Sequence, residues 1–296
     1  MVRTDHATLL ARLRRALDYC ESIEVDARAG RYGEYERWVE ILVEDVRAGE
    51  TSERWDQAEI LNAIHESIEF SEQCVPYLST QDPTLARAKL TRIVLGSRRA
   101  NAESSRDGSN EARNHVFETL LAAQMAGGGL VPRIQEPDLT VPAADRTLLV
   151  ACKRPFRLSG VNQGAKRARE QIERRRRERR DDCVGVVAIS STRVGLSGVR
   201  RVGQAGWDAP VTELDATDRA ADALQQMYER RIRKQVAKDK RIAGTIVHHS
   251  ELIHEAETGL YCVGQTSLVV TFGDSPPSRS RSDEGTRTSF GRVQVA

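Results

Sequence analysis

The sequence has no long apolar run. Nowhere in its 296 residues is there a stretch of side chains apolar enough, and long enough, to span a bilayer. The opening segment MVRTDHATLLARLRRALDYC also lacks the continuous apolar core of an export signal. Cysteine is scarce and scattered: Cys20, Cys74, Cys152, Cys183 and Cys262 are odd in number and no pair has CxxC spacing. That pattern argues against a structural zinc site and against a disulfide framework, and leaves a reduced, cytoplasmic chain with no membrane partner as the expectation. Aromatics are only 5% and the net charge is only +2, so an interaction with nucleic acid would have to come from local clustering of basic residues rather than from the molecule's overall field. Hydrophobic residues at 39% are enough for a real core.

The first hundred residues read as helices. Leu9, Leu10, Leu13, Leu17, Cys20 and Ile23 recur at three- and four-residue spacing over 7–29. Trp38, Val39, Leu42 and Val46 repeat the pattern, and Gly49 ends it. A third run from a Thr51-Ser52 cap extends to Phe70, with Pro76 expected to close it. Asp82-Pro83 starts a fourth. Residues 97–110, SRRANAESSRDGSN, are polar and without period. They read as a linker between an all-helical domain (1–105) and a second domain (106–274) expected to fold alone. A tail of Ser, Arg, Pro and Gly (275–296) reads as disordered.

The second region opens with a helix from Asn110 to about Gln124, then a short strand near Ile134. Glu136 to Pro155 follows: EPDLTVPAADRTLLVACKRP. Leu139 and Val141 alternate around Thr140, residues 142–146 are turn-like, and Thr147 to Cys152 is a buried-strand run. In such a hairpin, facing side chains lie about 5 Å apart, so the Asp138 carboxylate and the Lys153 ammonium can meet. A Mg²⁺-dependent phosphodiester hydrolase uses that pair, the carboxylate to hold the metal and the lysine to orient or deprotonate water. After a loop over 157–164 comes a basic helix, AKRAREQIERRRRERR. It is either a solvated charged face or a phosphate-tracking surface involving Arg154, Lys166, Arg167, Arg174 and Arg175. VGVVAIS (184–190) is strand-like, and strand–helix–strand order implies a parallel pair joined by a crossover. A helix over 214–237 and strands over 241–248 and 261–272 complete the pattern. His248, His249 and His254 could gather around a metal, but no zinc spacing is present, and a polar strand end or helix surface is the expectation.

The hairpin resembles the active-site hairpin of the PD-(D/E)xK nuclease superfamily. Pro137-Asp138 matches the opening of one strand, and Ala151-Cys152-Lys153, followed by Arg154-Pro155, matches the acidic-x-Lys triplet that ends the next. The departure is Ala151, which stands where the family has a carboxylate. The resemblance covers roughly 106–272 and implies an α/β, restriction-endonuclease-like mixed sheet flanked by helices. It further implies Mg²⁺ or Mn²⁺ held by Asp138, by Glu118 from the preceding helix and by the main-chain carbonyl of Cys152, with Gln171 near the reaction centre and DNA as substrate. The expected function is metal-dependent DNA endonuclease in a prokaryotic restriction or phage-defence setting, weakened or abolished at Ala151, with a second copy or defence proteins as partners of the N-terminal helices. The alternative is a DNA-binding or assembly protein that keeps the fold without the chemistry.

Overall fold

The computed structural model describes residues 3–49, 57–97, 111–135, 138–143, 146–155, 157–179, 182–192, 223–255 and 260–271. The first helix, α1 (His6–Ser22), starts where the Asp5 carboxylate accepts the Thr8 N–H at 2.7 Å. It stops at Ser22 rather than near Ala29, because Glu24 turns into the left-handed region at φ 61°. α2 (Arg31–Ala48) ends on Gly49 at φ 69°. α3 (Gln57–Glu69) begins beyond the expected Thr51-Ser52 cap, which lies outside the described residues.

Pro76 does not end this run. A π-helical turn, Phe70–Cys74, leads directly into α4 (Val75–Ser79), with the Val75 N–H bonded to the Phe70 carbonyl. A proline ring clashes with the carbonyl four residues earlier in a regular helix. The wider π turn displaces that carbonyl, so the chain stays helical through the proline. Asp82 caps α5 (Pro83–Val94) through the N–H groups of Thr84 and Leu85.

Beyond the segment expected to be a linker, most of which lies outside the described residues, come α6 (Glu111–Gly127), β2 (Arg133–Gln135), β3 (Asp138–Pro142) and β4 (Thr147–Lys153). The two-residue β1 is Arg3–Thr4. The basic helix α7 (Leu158–Glu178) begins inside the segment expected to be a loop. Next are β5 (Cys183–Ser190), a helical stretch over 223–236 that closes as α8 (Arg233–Val236), β6 (Ile242–Glu255) and β7 (Leu260–Thr271). The part of the expected 214–237 helix before 223 lies outside the described residues. The sheet order is β1-β7-β6-β5-β4-β3-β2. β4, β5 and β6 are parallel neighbours and the other pairings are antiparallel, so the fold is α/β with a mixed sheet. The β4–α7–β5 crossover is present as expected. No helix among the described residues is long and apolar enough to cross a membrane. Cys20, Cys74, Cys152 and Cys183 are free and buried.

Alternation along the strands gives each sheet face its own core. Leu139, Val141, Val150 and Cys152 join Val116, Phe117, Leu120 and Leu121 of α6, and that same cluster continues into Leu17, Tyr32, Phe70, Leu90 and Ile93 of the N-terminal helices. Leu149, Ala151 and Val187 face the other way, onto Val161, Ala165, Ala168 and Ile172 of α7. Gly185 permits that contact, since a Cβ there would lie 2.6 Å from Ile172 Cγ2 and 2.7 Å from Ile242 Cδ1.

Buried charge also ties the first hundred residues to α6. Arg113 of α6 donates to Glu66 of α3 at 2.5 Å and to the Tyr35 hydroxyl at 3.2 Å. Arg31 lies 3.5 Å from the other Glu66 oxygen. Burial pushes the Glu66 pKa up, but the Arg113 and Arg31 charges outweigh it and bring it to about 2.

Candidate functional site

The β3–β4 hairpin has the register the alternating pattern predicts. Leu139 faces Val150 and Thr140 faces Leu149, which sets Asp138 level with Ala151 at the end of the ladder. Asp138, Ala151 and Lys153 therefore share the face covered by α7, and Gln171 of that helix reaches the same place. Three side chains close a ring. Lys153 Nζ donates to Gln171 Oε1 at 2.7 Å and lies 3.4 Å from Asp138 Oδ2, while Gln171 Nε2 donates to Asp138 Oδ1 at 3.2 Å. The Cys152 N–H adds a 2.6 Å bond to Asp138 Oδ2. Lys153 Nζ also donates to the Cys152 carbonyl at 2.8 Å.

Burial pushes the Asp138 pKa up to about 6. The Lys153 charge and the Cys152 N–H pull it down, and the Glu118 charge pushes it further up. A carboxyl near neutrality beside an ammonium is poised to share or exchange a proton. Burial likewise pushes the Cys152 thiol well above its usual range.

Glu118 lies on the other side of the sheet. It is buried on α6, and its hydrogen bonds go to Lys89 of α5 and, at 3.1 Å, to His115 Nδ1. Lys89 Nζ is also 2.9 Å from His115 Nδ1. Burial pushes the Glu118 pKa up, but the His115 hydrogen bond and the Lys89 charge outweigh it, so Glu118 stays ionised. The structure thus brings together Asp138, Lys153, Gln171 and the Cys152 backbone, with Ala151 beside them. Glu118 is held apart by its own ammonium. Lys89 had no signal of its own in the sequence, being one basic residue on an amphipathic helix.

These donors do not fit a divalent cation. Ala151 offers no oxygen, both Asp138 oxygens are engaged, the Cys152 carbonyl accepts from Lys153, and Glu118 is neutralised by Lys89. Mg²⁺ needs oxygens free to point at one octahedral centre. Among the described residues no cluster of three or more His, Cys, Asp or Glu is placed to hold a metal ion.

The histidine expectation needs correction. His248 and His249 are neither at a strand end nor on a helix surface. They lie within β6, 1% and 2% exposed, and as consecutive strand residues they point to opposite faces. His248 Nδ1 is 3.0 Å from Ser267 Oγ, and burial lowers its pKa to about 4. His249 Nδ1 is 3.2 Å from Ser191 Oγ. The cause is the length of β6, which runs on as far as Glu255 because β7 pairs with it throughout.

On α7, Lys166, Arg167 and Arg174 are exposed and Arg175 is half-buried. Lys166 lies 3.8 Å from Glu170, and Arg175 pairs with Glu178 at 2.8 Å. Arg167 and Arg174 are seven residues apart, hence on one stripe, and neither has a carboxylate partner among the described residues. That stripe adjoins Gln171. Arg154 follows β4 and is half-buried; its charge is felt by Glu66 and Glu69 of α3, which turns it toward the helical side of the sheet.

In comparisons with known proteins, no family model and no curated protein matches this chain.

Proposed function

We propose that this chain is a PD-(D/E)xK nuclease-like protein, restriction-endonuclease-like in fold, that binds DNA without cutting it. The observation that carries this reading is the convergence of Asp138, Lys153 and Gln171 on one face of the hairpin, with Ala151 level with Asp138 where the family has a metal-binding carboxylate. The mixed sheet with its β4–α7–β5 crossover supports the lineage. Arg167 and Arg174, without carboxylate partners among the described residues and on the flank of α7 that carries Gln171, support contact with a phosphate backbone.

The chemistry follows from the ring. Lys153 neutralises Asp138, and Gln171 bridges the two, accepting from one and donating to the other. Both Asp138 oxygens already accept hydrogen bonds, and Ala151, level with it, adds no second carboxylate, so Asp138 alone is a poor anchor for a cation. A phosphate brought along the Arg167–Arg174 stripe would meet a neutralised centre.

The test pairs binding with cutting. The unaltered chain should bind plasmid DNA and leave it intact in Mg²⁺ or Mn²⁺. Replacing Arg167 and Arg174 with Gln should weaken binding to all sequences alike. It should also make the slope of log affinity against log salt shallower, by about one unit for each phosphate no longer neutralised. Ala151→Glu places a carboxylate facing Asp138, so it should tighten Mg²⁺ or Mn²⁺ binding in calorimetry and create nicking that Lys153→Ala removes. Metal-dependent nicking by the unaltered chain would refute the reading, and so would failure to bind DNA.

A further inference from the structure

The opposite flank of α7 has its own chemistry. An α-helix turns about 100° per residue, so Arg169, Glu173 and Arg176 lie on the side away from Gln171. There α7 and the turn from α8 into β6 enclose a cleft of about 340 Å³. Among the described residues its lining is wholly charged, with no apolar or aromatic side chain.

The two carboxylates of the cleft are committed. Glu173 pairs with Arg177 at 2.5 Å, and Asp239 accepts the Arg241 backbone N–H at 2.9 Å, holding the turn. Of the five cations, only Arg177 has a carboxylate partner among the described residues. Arg176 spends its Nε on the Cys183 carbonyl at 2.9 Å, which fixes its guanidinium and leaves its terminal N–H groups over. Arg169 Nε is shielded from solvent with no acceptor among the described residues. Nor does Arg169, or the exposed Lys238 and Arg241, have a carboxylate partner among them. Five cations against two carboxylates leave the lining with an excess of positive charge, which an anion relieves.

We propose that this cleft is a binding site for phosphate oxyanions, taking a run of phosphates rather than a nucleobase. The guanidinium fork matches phosphate oxygens in pairs, and Lys238 adds a point charge at the rim. Among the described residues no aromatic ring lines the cleft to stack a base, so the charge and the guanidinium forks favour phosphates. The site lies across α7 from Asp138 and stands independently of the nuclease-lineage reading.

Inorganic tripolyphosphate titrated into the full chain at about 150 mM salt is the direct probe. Saturable binding is expected, weakened about tenfold or more by the double substitution Lys238→Gln, Arg241→Gln and again by Arg169→Gln. Lys238 and Arg241 are exposed, so that double variant should unfold at the temperature of the parent, and it keeps the test valid if Arg169→Gln is destabilised. No saturable binding, or undiminished binding by the double variant, overturns the proposal. A single-stranded DNA oligonucleotide distinguishes the sources. If its affinity falls in the same double variant, the phosphates belong to a nucleic acid backbone. If only tripolyphosphate binding falls, the ligand is a small phosphorylated molecule. Loss confined to Arg167→Gln, Arg174→Gln would overturn the proposal and move the phosphates to the other flank.

Discussion

Asp138, partly buried, and Glu118, buried, are carboxylates on opposite sides of one sheet, each beside a lysine, and they have opposite electrostatic fates. Glu118 has Lys89 and His115 against it and is held below the usual carboxylate range. Asp138 has Lys153 at 3.4 Å and an uncharged Gln171, and burial wins, lifting it to about 6. The difference is one of distance and company. Lys89 is itself buried between its two partners, whereas Lys153 is 26% exposed and spreads its N–H groups over Asp138, Gln171 and a carbonyl. A lysine beside a carboxylate therefore does not by itself decide which form of the carboxylate the fold prefers.

The largest effect is expected from removing the helices that supply one of the two lysines. A fragment of residues 106–274 lacks Lys89 and Glu66 and exposes the α6 face of the sheet, which shares its core with Phe70, Leu90 and Ile93. No cooperative thermal transition is expected from that fragment. A sharp transition would show that the helices before residue 97 are dispensable for the core.

Next is Lys89→Met. It leaves Glu118 buried without its ammonium and should cost about 3–5 kcal/mol in denaturant unfolding. Adding Glu118→Gln should recover most of that; a cost below about 1 kcal/mol would mean that water reaches Glu118.

The pH dependence separates the carboxylates by sign. Asp138 is raised in the folded state, from 3.8 to about 6, so the folded chain holds its proton more tightly than the unfolded chain does. Its contribution to stability is present at pH 4 and is lost as pH rises to about 6, by roughly 2–3 kcal/mol. Glu118 is lowered, so its contribution is present above pH 4.5 and lost as pH falls below that. Asp138→Asn should flatten the pH 4–6 part of the stability profile and leave the acid limb. An unchanged profile in that window would place the Asp138 pKa near its ordinary value.

The smallest effect belongs to Lys153→Met. Asp138 can take up a proton instead of staying charged, so the expected cost at pH 6 is only about 1 kcal/mol, with the Asp138 titration moving higher. A loss as large as that of Lys89→Met would make the two lysines equivalent and dissolve the contrast.

Much of the hairpin was readable from residues. Period-two alternation around Thr140 and the apolar run to Cys152 set the two strands, and the register followed from them, so Asp138 and Lys153 met as expected. The resemblance added Gln171, and the helix brought it there. Glu118 was legible as a buried-face glutamate, but its partner was not, because Lys89 comes from a helix on the far side of the unpatterned 98–110 segment and only tertiary contact pairs them. The same holds for Arg113 with Glu66. Pro76 misled because a π turn has no local sequence signature, and the histidines misled because the extent of β6 depends on its partner strand.

The two-residue strand β1 carries one more consequence. Arg3 pairs with Cys262 and Thr4 with Tyr261, so the outermost strand of the sheet joins residues that leave the ribosome early to a hairpin made much later. Closing so long a loop is entropically late. Until β6 and β7 are made, the apolar face of the N-terminal helices that Leu252, Tyr261 and Val263 cover has nothing to pack against, and exposed surface of that kind is where aggregation starts.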